Sequence, residues 1–257
     1  MPAFAPLSRL KSLLVASACV LSLGTPGQAL ELDQMTVQQQ SQFGQAVRAY
    51  LLENPEVLME AIAVLEQRKS AAQAMSDEDL VKANALALFD DGYSWVGGNV
   101  NGDVTIVEFM DYRCGYCKKA HADVTELVES DGNIRLIYKE FPVLGPESVL
   151  AARFAMAVKS LAGDAAYKEV HDALITLRGQ MSQATFDSLA KDLSLDLAAV
   201  QSEMNSDAVT AALAQNQTLA STLQIQGTPG FVLGSGILRG YVPLDAMREI
   251  VAEVRGK

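Results

Sequence analysis

The sequence predicts an α/β domain that carries a helical insertion and follows a set of N-terminal helices. Two strand-like segments flank a helix within residues 104–141. About 80 residues of helical periodicity follow at about 146–226, and a glycine-containing hairpin and a last helix complete the order. About half of the 257 residues are apolar, which is enough for one medium-sized core plus an appendage.

The strand–helix–strand unit is the best-defined part of this pattern. Residues 104–110 are short, β-branched and almost continuously apolar, which is typical of a buried strand, and Glu108 is the conspicuous exception. Residues 114–129 have helical periodicity. Residues 134–141 alternate between apolar and basic side chains, so they predict a second strand with Lys139 on its polar face.

Breaks in the helical and strand periodicity predict the element boundaries of the insertion and of the C-terminal segment. Helix breaks are expected near Gly163 and Gly179. Residues 230–233 and 237–242 predict two strands of a hairpin, because a Gly-Ser-Gly turn separates them. Pro243 then opens a final amphipathic helix whose apolar stripe should cover one face of the sheet.

Residues 1–29 have the features of a signal peptide: two basic residues, an apolar run over 13–23, and small residues ending at Ala29. We therefore expect cleavage after Ala29 and export to the periplasm. The apolar run is shorter than the ~20 residues that a membrane-spanning helix needs. Small residues before Cys19 faintly resemble a lipoprotein processing site, and this alternative stays open.

Residues 30–75 predict a helical stalk made of two short amphipathic helices that are separated at Pro55. A further helix is expected to start at Ser76, within a main domain of residues 76–257. The stalk helices could pack on that domain or pair with copies from other chains. We expect the second arrangement, a homo-oligomer, because the stalk lies outside the predicted α/β core.

The charge balance argues against one class of partner. The chain has 20 basic and 31 acidic residues and a formal net charge of −11. Removal of the signal peptide takes away basic residues and makes the balance more acidic. Such a surface repels phosphate backbones and anionic lipids, so no nucleic-acid partner is expected.

After the signal peptide, the cysteines that remain are Cys114 and Cys117. A bridge across two residues stabilises a fold very little, so a redox role explains the pair better than a structural one. The start of a helix lowers the pKa of a thiol. Cys114 is therefore expected to be an exposed nucleophile, and Cys117 an inward-facing resolving thiol one turn later.

Two further features lie near this pair in the predicted topology. A buried carboxyl group at Glu108 would have a raised pKa and could exchange protons with Cys117. Lys139 is its candidate partner, and the alternative is an edge-strand glutamate that faces water. Residues 227–230 place Pro229 directly before a strand, where a cis peptide bond would explain the proline.

A metal site is the alternative interpretation of the two cysteines. Cys114, Cys117, His121 and His171 would supply four ligands. The sequence has no second cysteine pair, and structural roles suffice for both histidines. We therefore expect neither a metal nor a cofactor.

The segments VEFMDYRCGYCKK at residues 107–119 and TPGF at residues 228–231 resemble the bacterial DsbA-like thioredoxin superfamily. Within that group the chain is most similar to the suppressor-of-copper-sensitivity protein C branch of periplasmic disulfide isomerases. The resemblance spans roughly residues 40–257. It implies a thioredoxin-like fold with a helical insertion and an N-terminal helical extension for oligomerisation, which forms trimers in that branch.

The resemblance also assigns the site residues. The catalytic residues it implies are Cys114 as nucleophile, Cys117 as resolving cysteine and Glu108 as buried acid. The substrate-binding residues it implies are Thr228, the cis-proline Pro229, Gly115 and Tyr116. The Gly-Tyr pair and the threonine before the proline are similar to isomerases of the superfamily, whereas strong oxidases usually carry Pro-His and Val there.

The implied partners are exported proteins that carry disulfides or free thiols, and a membrane redox protein that is a reductase rather than an oxidase. Two alternatives remain. One is a monomeric DsbA-type dithiol oxidase. The other is a copper-binding protein that uses Cys114 and Cys117 as soft ligands for Cu(I), although the methionines are scattered rather than clustered.

Overall fold

The computed structural model describes residues 35–256 of the chain. The predicted signal peptide, Cys19 and residues 30–34 lie outside this range. Within it, no helix combines the length and apolarity that crossing a membrane requires. The chain divides after Ile62 into two compact units, which are described separately.

The described part of the first unit is helical. Helix α1 spans Val37–Glu53, and a capping box between Thr36 and Gln39 fixes its start. No residue of α1 is buried. The break predicted after α1 is confirmed at Asn54, and α2 begins directly afterwards and spans Glu56–Ala83.

Helix α2 corrects one prediction. It continues without a break through residues 70–75, so the helix start predicted at Ser76 is wrong. This segment is rich in alanine, which has the highest helix propensity, and small residues there do not interrupt the helix. The real break comes at Asn84, after which α3 spans Ala85–Phe89.

The second unit contains a five-stranded sheet in the order β1-β3-β2-β4-β5. The strands are β1 Trp95–Gly98, β2 Val104–Met110, β3 Ile134–Glu140, β4 Gly230–Leu233 and β5 Gly236–Arg239. Strand β2 is parallel to β3 and antiparallel to β4, and both edge strands are antiparallel to their neighbours. The predicted β2, β3 and hairpin are confirmed, β5 ends three residues earlier than predicted, and β1 was not predicted.

The remaining helices follow the predicted order. They are α4 Gly115–Asp131, α5 Pro146–Thr176, α6 Gln183–Asp192, α7 Leu197–Met204, α8 Asp207–Thr222 and α9 Leu244–Arg255. Helices α5 to α8 are the helical insertion. Gly163 has a φ of 82° and bends α5 at the first predicted break, and α5 ends at Thr176, directly before the second break predicted at residues 177–179. The α/β class with a helical insertion is confirmed.

Helices cover both faces of the sheet. One apolar core lies between the sheet and helices α4, α5 and α9. A second core lies on the other face, against α3, α8 and the last turns of α2. Because strand side chains alternate between faces, Ile106 and Met110 of β2 join the first core, and Val107 and Phe109 join the second. Glu108 therefore points to the same face as α4.

Candidate active site

Cys114 is the N-cap residue of α4, where backbone N–H groups lack helical partners. Its sulfur accepts a hydrogen bond from the backbone N–H of Cys117, with an S···N distance of 3.4 Å. Both cysteines are free thiols. The sequence thus places the thiol pair across the first turn of α4, as predicted, with Cys117 only 1% exposed and directed inward.

Asp111 fixes the turn that leads from β2 into α4. Its buried carboxylate accepts hydrogen bonds from the backbone N–H groups of Arg113 at 2.8 Å, Val143 at 2.8 Å and Leu144 at 3.0 Å. These bonds tie the Cys114 turn to the loop after β3. Sequence analysis did not single out Asp111, although an aspartate directly after a strand and before a helix is a recognisable turn signal.

Cys114 is 7% exposed, so the prediction of an exposed nucleophile is wrong as stated. The loop before β4 covers it: the Cys114 Sγ lies 3.2 Å from the Thr228 carbonyl oxygen, to which the protonated thiol donates a hydrogen bond. The peptide bond between Thr228 and Pro229 is cis, as predicted. Tyr116 is 64% exposed beside the thiol, so the sulfur lies just beneath the surface rather than on it.

The two thiols have opposite electrostatic environments. The hydrogen bond from the Cys117 thiol lowers the pKa of Cys114 to about 5, assisted by the Thr228 side chain and by the backbone N–H groups of Tyr116 and Cys117, and opposed by burial. The same hydrogen bond raises the pKa of Cys117, as do its burial and the charge of Glu108. At neutral pH the pair is therefore one thiolate and one thiol.

Glu108 lies behind the thiol pair and is 2% exposed. Its strand β2 has neighbours on both sides, so the alternative of a water-facing edge-strand glutamate is wrong. Burial raises the pKa of Glu108 to about 8, and the negative charge of Cys114 adds to the shift. The charge of Glu108 also affects the pKa of Cys117, so Glu108 is electrostatically coupled to both cysteines.

Lys139 does not pair with Glu108. In the β2–β3 register Glu108 is opposite Tyr138, and Lys139 is opposite Phe109 on the other face of the sheet. There the Lys139 Nζ donates to the Ala87 carbonyl oxygen at 2.7 Å and forms an ion pair with Asp91. The predicted pairing is wrong because strand alternation separates the two side chains.

The structure does not bring the histidines together with the cysteines. His121 and His171 instead lie beside each other, with 5.3 Å between ring centroids, and form a cluster with Asp172. The four-ligand arrangement of cysteines and histidines is therefore not formed within residues 35–256. The Tyr112 hydroxyl lies 3.2 Å from Nδ1 of His171 and donates to Glu140 at 2.6 Å, a buried network that sequence analysis missed.

Two family models match the chain, one over the α/β domain and one over the N-terminal helices. Residues 105–252, more than half of the chain, match the family model described as a DSBA-like thioredoxin domain. The chain belongs to the DSBA-like thioredoxin family. Residues 39–72 also match the model of the copper resistance protein ScsC N-terminal domain, which includes α1 and the first part of α2.

Solved structures give the same assignment for this DSBA-like protein. A thioredoxin-like oxidoreductase from Silicibacter pomeroyi is 38% identical with a TM-score of 0.63, over 67% of this chain and 98% of the other. BcfH from Salmonella enterica Typhimurium is 30% identical with a TM-score of 0.69, over 86% of this chain and 97% of the other. These values establish a thioredoxin-like fold.

A curated relative matches this chain over a small part of its own length. The Na(+)/H(+) antiporter NhaA 1 of Salinispora arenicola is 30% identical over 159 residues, which are 61% of this chain and 24% of the antiporter. The chain thus spans about a quarter of the length of that relative. The thiol pair, Glu108 and Thr228 all lie within residues 105–252, the segment that matches the DSBA-like thioredoxin domain.

Proposed function

We propose that this protein is a periplasmic thiol-disulfide oxidoreductase that acts as a disulfide isomerase on exported proteins. One observation carries the proposal: a sulfur at the start of α4, with a pKa of about 5, lies 3.2 Å from the Thr228 carbonyl and has a protonated thiol behind it. A thiolate is the species that attacks disulfides, and a protonated second thiol cannot compete for substrate until it is needed.

In the proposed reaction the Cys114 thiolate attacks one sulfur of a substrate disulfide. The substrate S–S bond breaks, a mixed disulfide forms, and the second substrate sulfur leaves as a thiolate. When that thiolate attacks another disulfide of the same substrate, a thiolate released there attacks the mixed disulfide and frees Cys114, with no net oxidation. Alternatively Cys117 attacks Cys114, and the substrate leaves with two electrons as a dithiol.

Glu108 is proposed to accept the proton of Cys117 in this second route. The Cys114 charge that helps to raise the pKa of Glu108 disappears when the mixed disulfide forms. The pKa of Glu108 then falls, so its carboxylate becomes available at the stage at which the Cys117 thiol must lose a proton. The acid is thereby coupled to the redox state of the nucleophile beside it.

The substrate is proposed to bind along the loop of Thr228 and Pro229. The Thr228 carbonyl, which contacts Sγ of Cys114, would accept a hydrogen bond from the backbone of the substrate cysteine. Gly115 leaves open space next to the thiol, because a Cβ there would have no neighbour within 4 Å among the described residues. The exposed ring of Tyr116 provides an apolar surface beside that space.

Oligomerisation through residues 30–75, as a trimer, is the second part of the proposal. Apolar side chains at helical spacing are 40–52% exposed in the single chain: Phe43, Val47, Leu58, Ile62 and Leu65. They lie within the segment that matches the ScsC N-terminal domain. Exposed apolar residues at this density are typical of helices that pair with other helices. Each assembled molecule would then present several thiol sites to one substrate.

The proposed cycle needs electrons, since Cys117 resolution leaves the two cysteines as a disulfide. A membrane-bound reductase on the periplasmic side is the partner that would return them to thiols. Trapping free thiols in cells with a maleimide reagent tests this directly. We expect both cysteines to be reduced at steady state, and a predominantly oxidised pair would instead support the oxidase alternative.

Reactivation of scrambled ribonuclease tests the isomerase proposal. The protein should restore activity, Cys114→Ser should abolish this, and the double variant Leu58→Glu/Ile62→Glu should be monomeric by light scattering and several-fold slower. Leu161→Glu, at a residue 46% exposed on α5, is the matched control and should leave mass and rate unchanged. Full reactivation by the monomeric double variant, or rapid oxidation of reduced ribonuclease instead, would contradict the proposal.

A further inference from the structure

Both histidines of the chain lie together where α4 meets α5, in a cluster with Asp172 that does not include the cysteines. His121 lies on α4 one helical turn after Cys117, and His171 and Asp172 are consecutive on α5. His171 is fully buried and the His121 side chain is 15% exposed. The chain therefore concentrates all its imidazole groups at one contact between two helices.

Each of these imidazoles has a buried nitrogen that lacks a hydrogen-bond partner within the described structure: Nδ1 of His121 and Nε2 of His171. Buried polar atoms of this kind are uncommon and call for an explanation. The other nitrogen of His171, Nδ1, lies 3.2 Å from the Tyr112 hydroxyl, which in turn donates to Glu140. This contact fixes the ring and leaves Nε2 with a lone pair directed away from Tyr112.

We propose that His121, His171 and Asp172 bind a divalent transition-metal cation of the zinc type. One donor atom of each residue lies within 4.8 Å of the donor atoms of the other two. Imidazole nitrogen and carboxylate oxygen are ligands that zinc accepts, and a ligating histidine usually has its second nitrogen hydrogen-bonded as His171 does.

Zinc would have to draw these groups closer together. Metal–ligand distances of about 2.0–2.2 Å place tetrahedral donor atoms roughly 3.3 Å apart. The adjustment falls on His121 and Asp172, whose side chains are partly exposed, because His171 is held by Tyr112 and by surrounding aromatic rings. Nε2 of His121 already lies 3.4 Å from a carboxylate oxygen of Asp172.

Lys168 is the competitor for this site. Its Nζ donates to both carboxylate oxygens of Asp172, at 2.8 and 2.6 Å, so it occupies the position of a cation. The Lys168 side chain is 34% exposed and can turn into solvent when a metal ion replaces it. The ammonium group therefore holds the Asp172 carboxylate in its orientation, at the cost of weaker metal affinity.

A path from solvent reaches the cluster. A surface cleft of about 540 Å³ is lined by His121 together with the carboxylates of Glu126 and Glu129 on the outer face of α4. The acidic rim attracts cations to His121. A bound ion would join the helix that carries the thiol pair to the helical insertion, and this does not depend on isomerase activity.

Zinc binding by the tag-free full chain, with all three cysteines replaced by serine, tests the proposal without interference from thiols. Competition with a chromophoric chelator should give one Zn²⁺ per chain. The affinity should fall at least about 10-fold in His121→Gln and rise about 10-fold in Lys168→Met, which removes the competing cation. Asp187→Asn and Lys191→Met on α6 are matched controls that should leave the affinity unchanged.

The spectroscopic readout is specific because the chain has two histidines. In protein labelled with ¹⁵N-histidine, Zn²⁺ should shift ring nitrogen signals of both residues together. Zinc uptake without these shifts, equal affinity in all variants, or no uptake at micromolar zinc would each overturn the proposal. Lys168→Met keeps it testable if His121→Gln fails to fold, since only a site at Asp172 gains affinity from that change.

Discussion

Lowering the pH from 7 to 5 should separate Cys114 from an ordinary protein thiol. An ordinary thiol has a pKa of about 8.5, so roughly 3% of it is thiolate at pH 7 and about 0.03% at pH 5. With a pKa of about 5, Cys114 is almost fully ionised at pH 7 and half ionised at pH 5. The ionised fraction of Cys114 is therefore about 30 times that of an ordinary thiol at pH 7 and about 1,600 times at pH 5.

The reaction rate does not follow this advantage directly. Nucleophilicity falls with pKa, with a Brønsted coefficient of about 0.45, so a pKa lowered by roughly 3.5 costs about 40-fold in intrinsic rate. The two effects nearly cancel at pH 7. At pH 5 a net advantage of about 40-fold remains for Cys114. The expected signature is thus a rate that differs little from glutathione at neutral pH and greatly exceeds it in acid.

Stopped-flow reaction with 4,4′-dithiodipyridine, which works in acid, measures this profile. The rate should rise with a midpoint near pH 5 and reach a plateau by pH 7. Cys117→Ala removes the hydrogen bond that contributes most to the low pKa, so the midpoint should move upward. Cys117→Ser keeps a donor and should move it less. A midpoint above pH 7, or identical midpoints in both variants, would refute the account of the thiolate.

Three further predictions concern stability. Glu108 has a raised pKa in the folded state, so its stabilising contribution is complete below pH 4 and is lost as the pH rises to about 8. In urea unfolding, the free energy of unfolding of Glu108→Gln should therefore equal that of the parent at pH 4 and exceed it by up to about 5 kcal/mol at pH 8. Asp91→Asn removes the partner of buried Lys139 and should cost about 3–5 kcal/mol by the same assay. Gly98→Ala should lower the thermal midpoint by several degrees, because Gly98 has a φ of +66° and a Cβ would lie 2.4 Å from the Ile134 carbonyl oxygen.

Much of the sheet and the site could be predicted because local sequence specifies them. An apolar β-branched run gave β2, and a cysteine pair at the start of a periodic segment gave the first turn of α4. The glutamate inside an apolar strand pointed to a buried acid, and the proline directly before a strand pointed to a cis bond. Each of these signals lies within a few residues of the feature that it predicts.

Strand β1 shows where local signals fail. Its sequence, Trp95-Val96-Gly97-Gly98, contains two glycines and resembles a turn. In the structure the glycines have a packing reason: a Cβ on Gly97 would overlap the indole ring of Trp95, and Gly98 needs a positive φ. The indole of Trp95 stacks on Tyr138 with 5.1 Å between ring centroids. This segment becomes a strand because it pairs with β3, a contact that the local sequence does not reveal.

The buried polar network was also out of reach of the sequence. Glu140 accepts hydrogen bonds at 2.6 Å from the hydroxyls of both Tyr112 and Tyr167, which are 28 and 27 residues away. Nothing near Glu140 in the sequence indicates that it turns toward the core. Asp91 and Lys139 meet in the same way across 48 residues. Tertiary packing decides these pairs, and strand alternation decides which face each residue reaches.

Two of the buried ionisable residues of strands β2 and β3, Lys139 and Glu108, have different surroundings, and this difference separates a structural role from a chemical one. Lys139 has a carbonyl oxygen and the Asp91 carboxylate as partners, so its charge is compensated where it lies. Glu108 has no hydrogen-bond partner for its carboxyl group within residues 35–256, and the nearest charge that affects it, Cys114, opposes its ionisation. Because ionisation of the buried Glu108 carboxyl group destabilises the folded state, this group does not stabilise the fold. The proposed proton exchange with Cys117 explains why an acid lies at this position behind the two thiols.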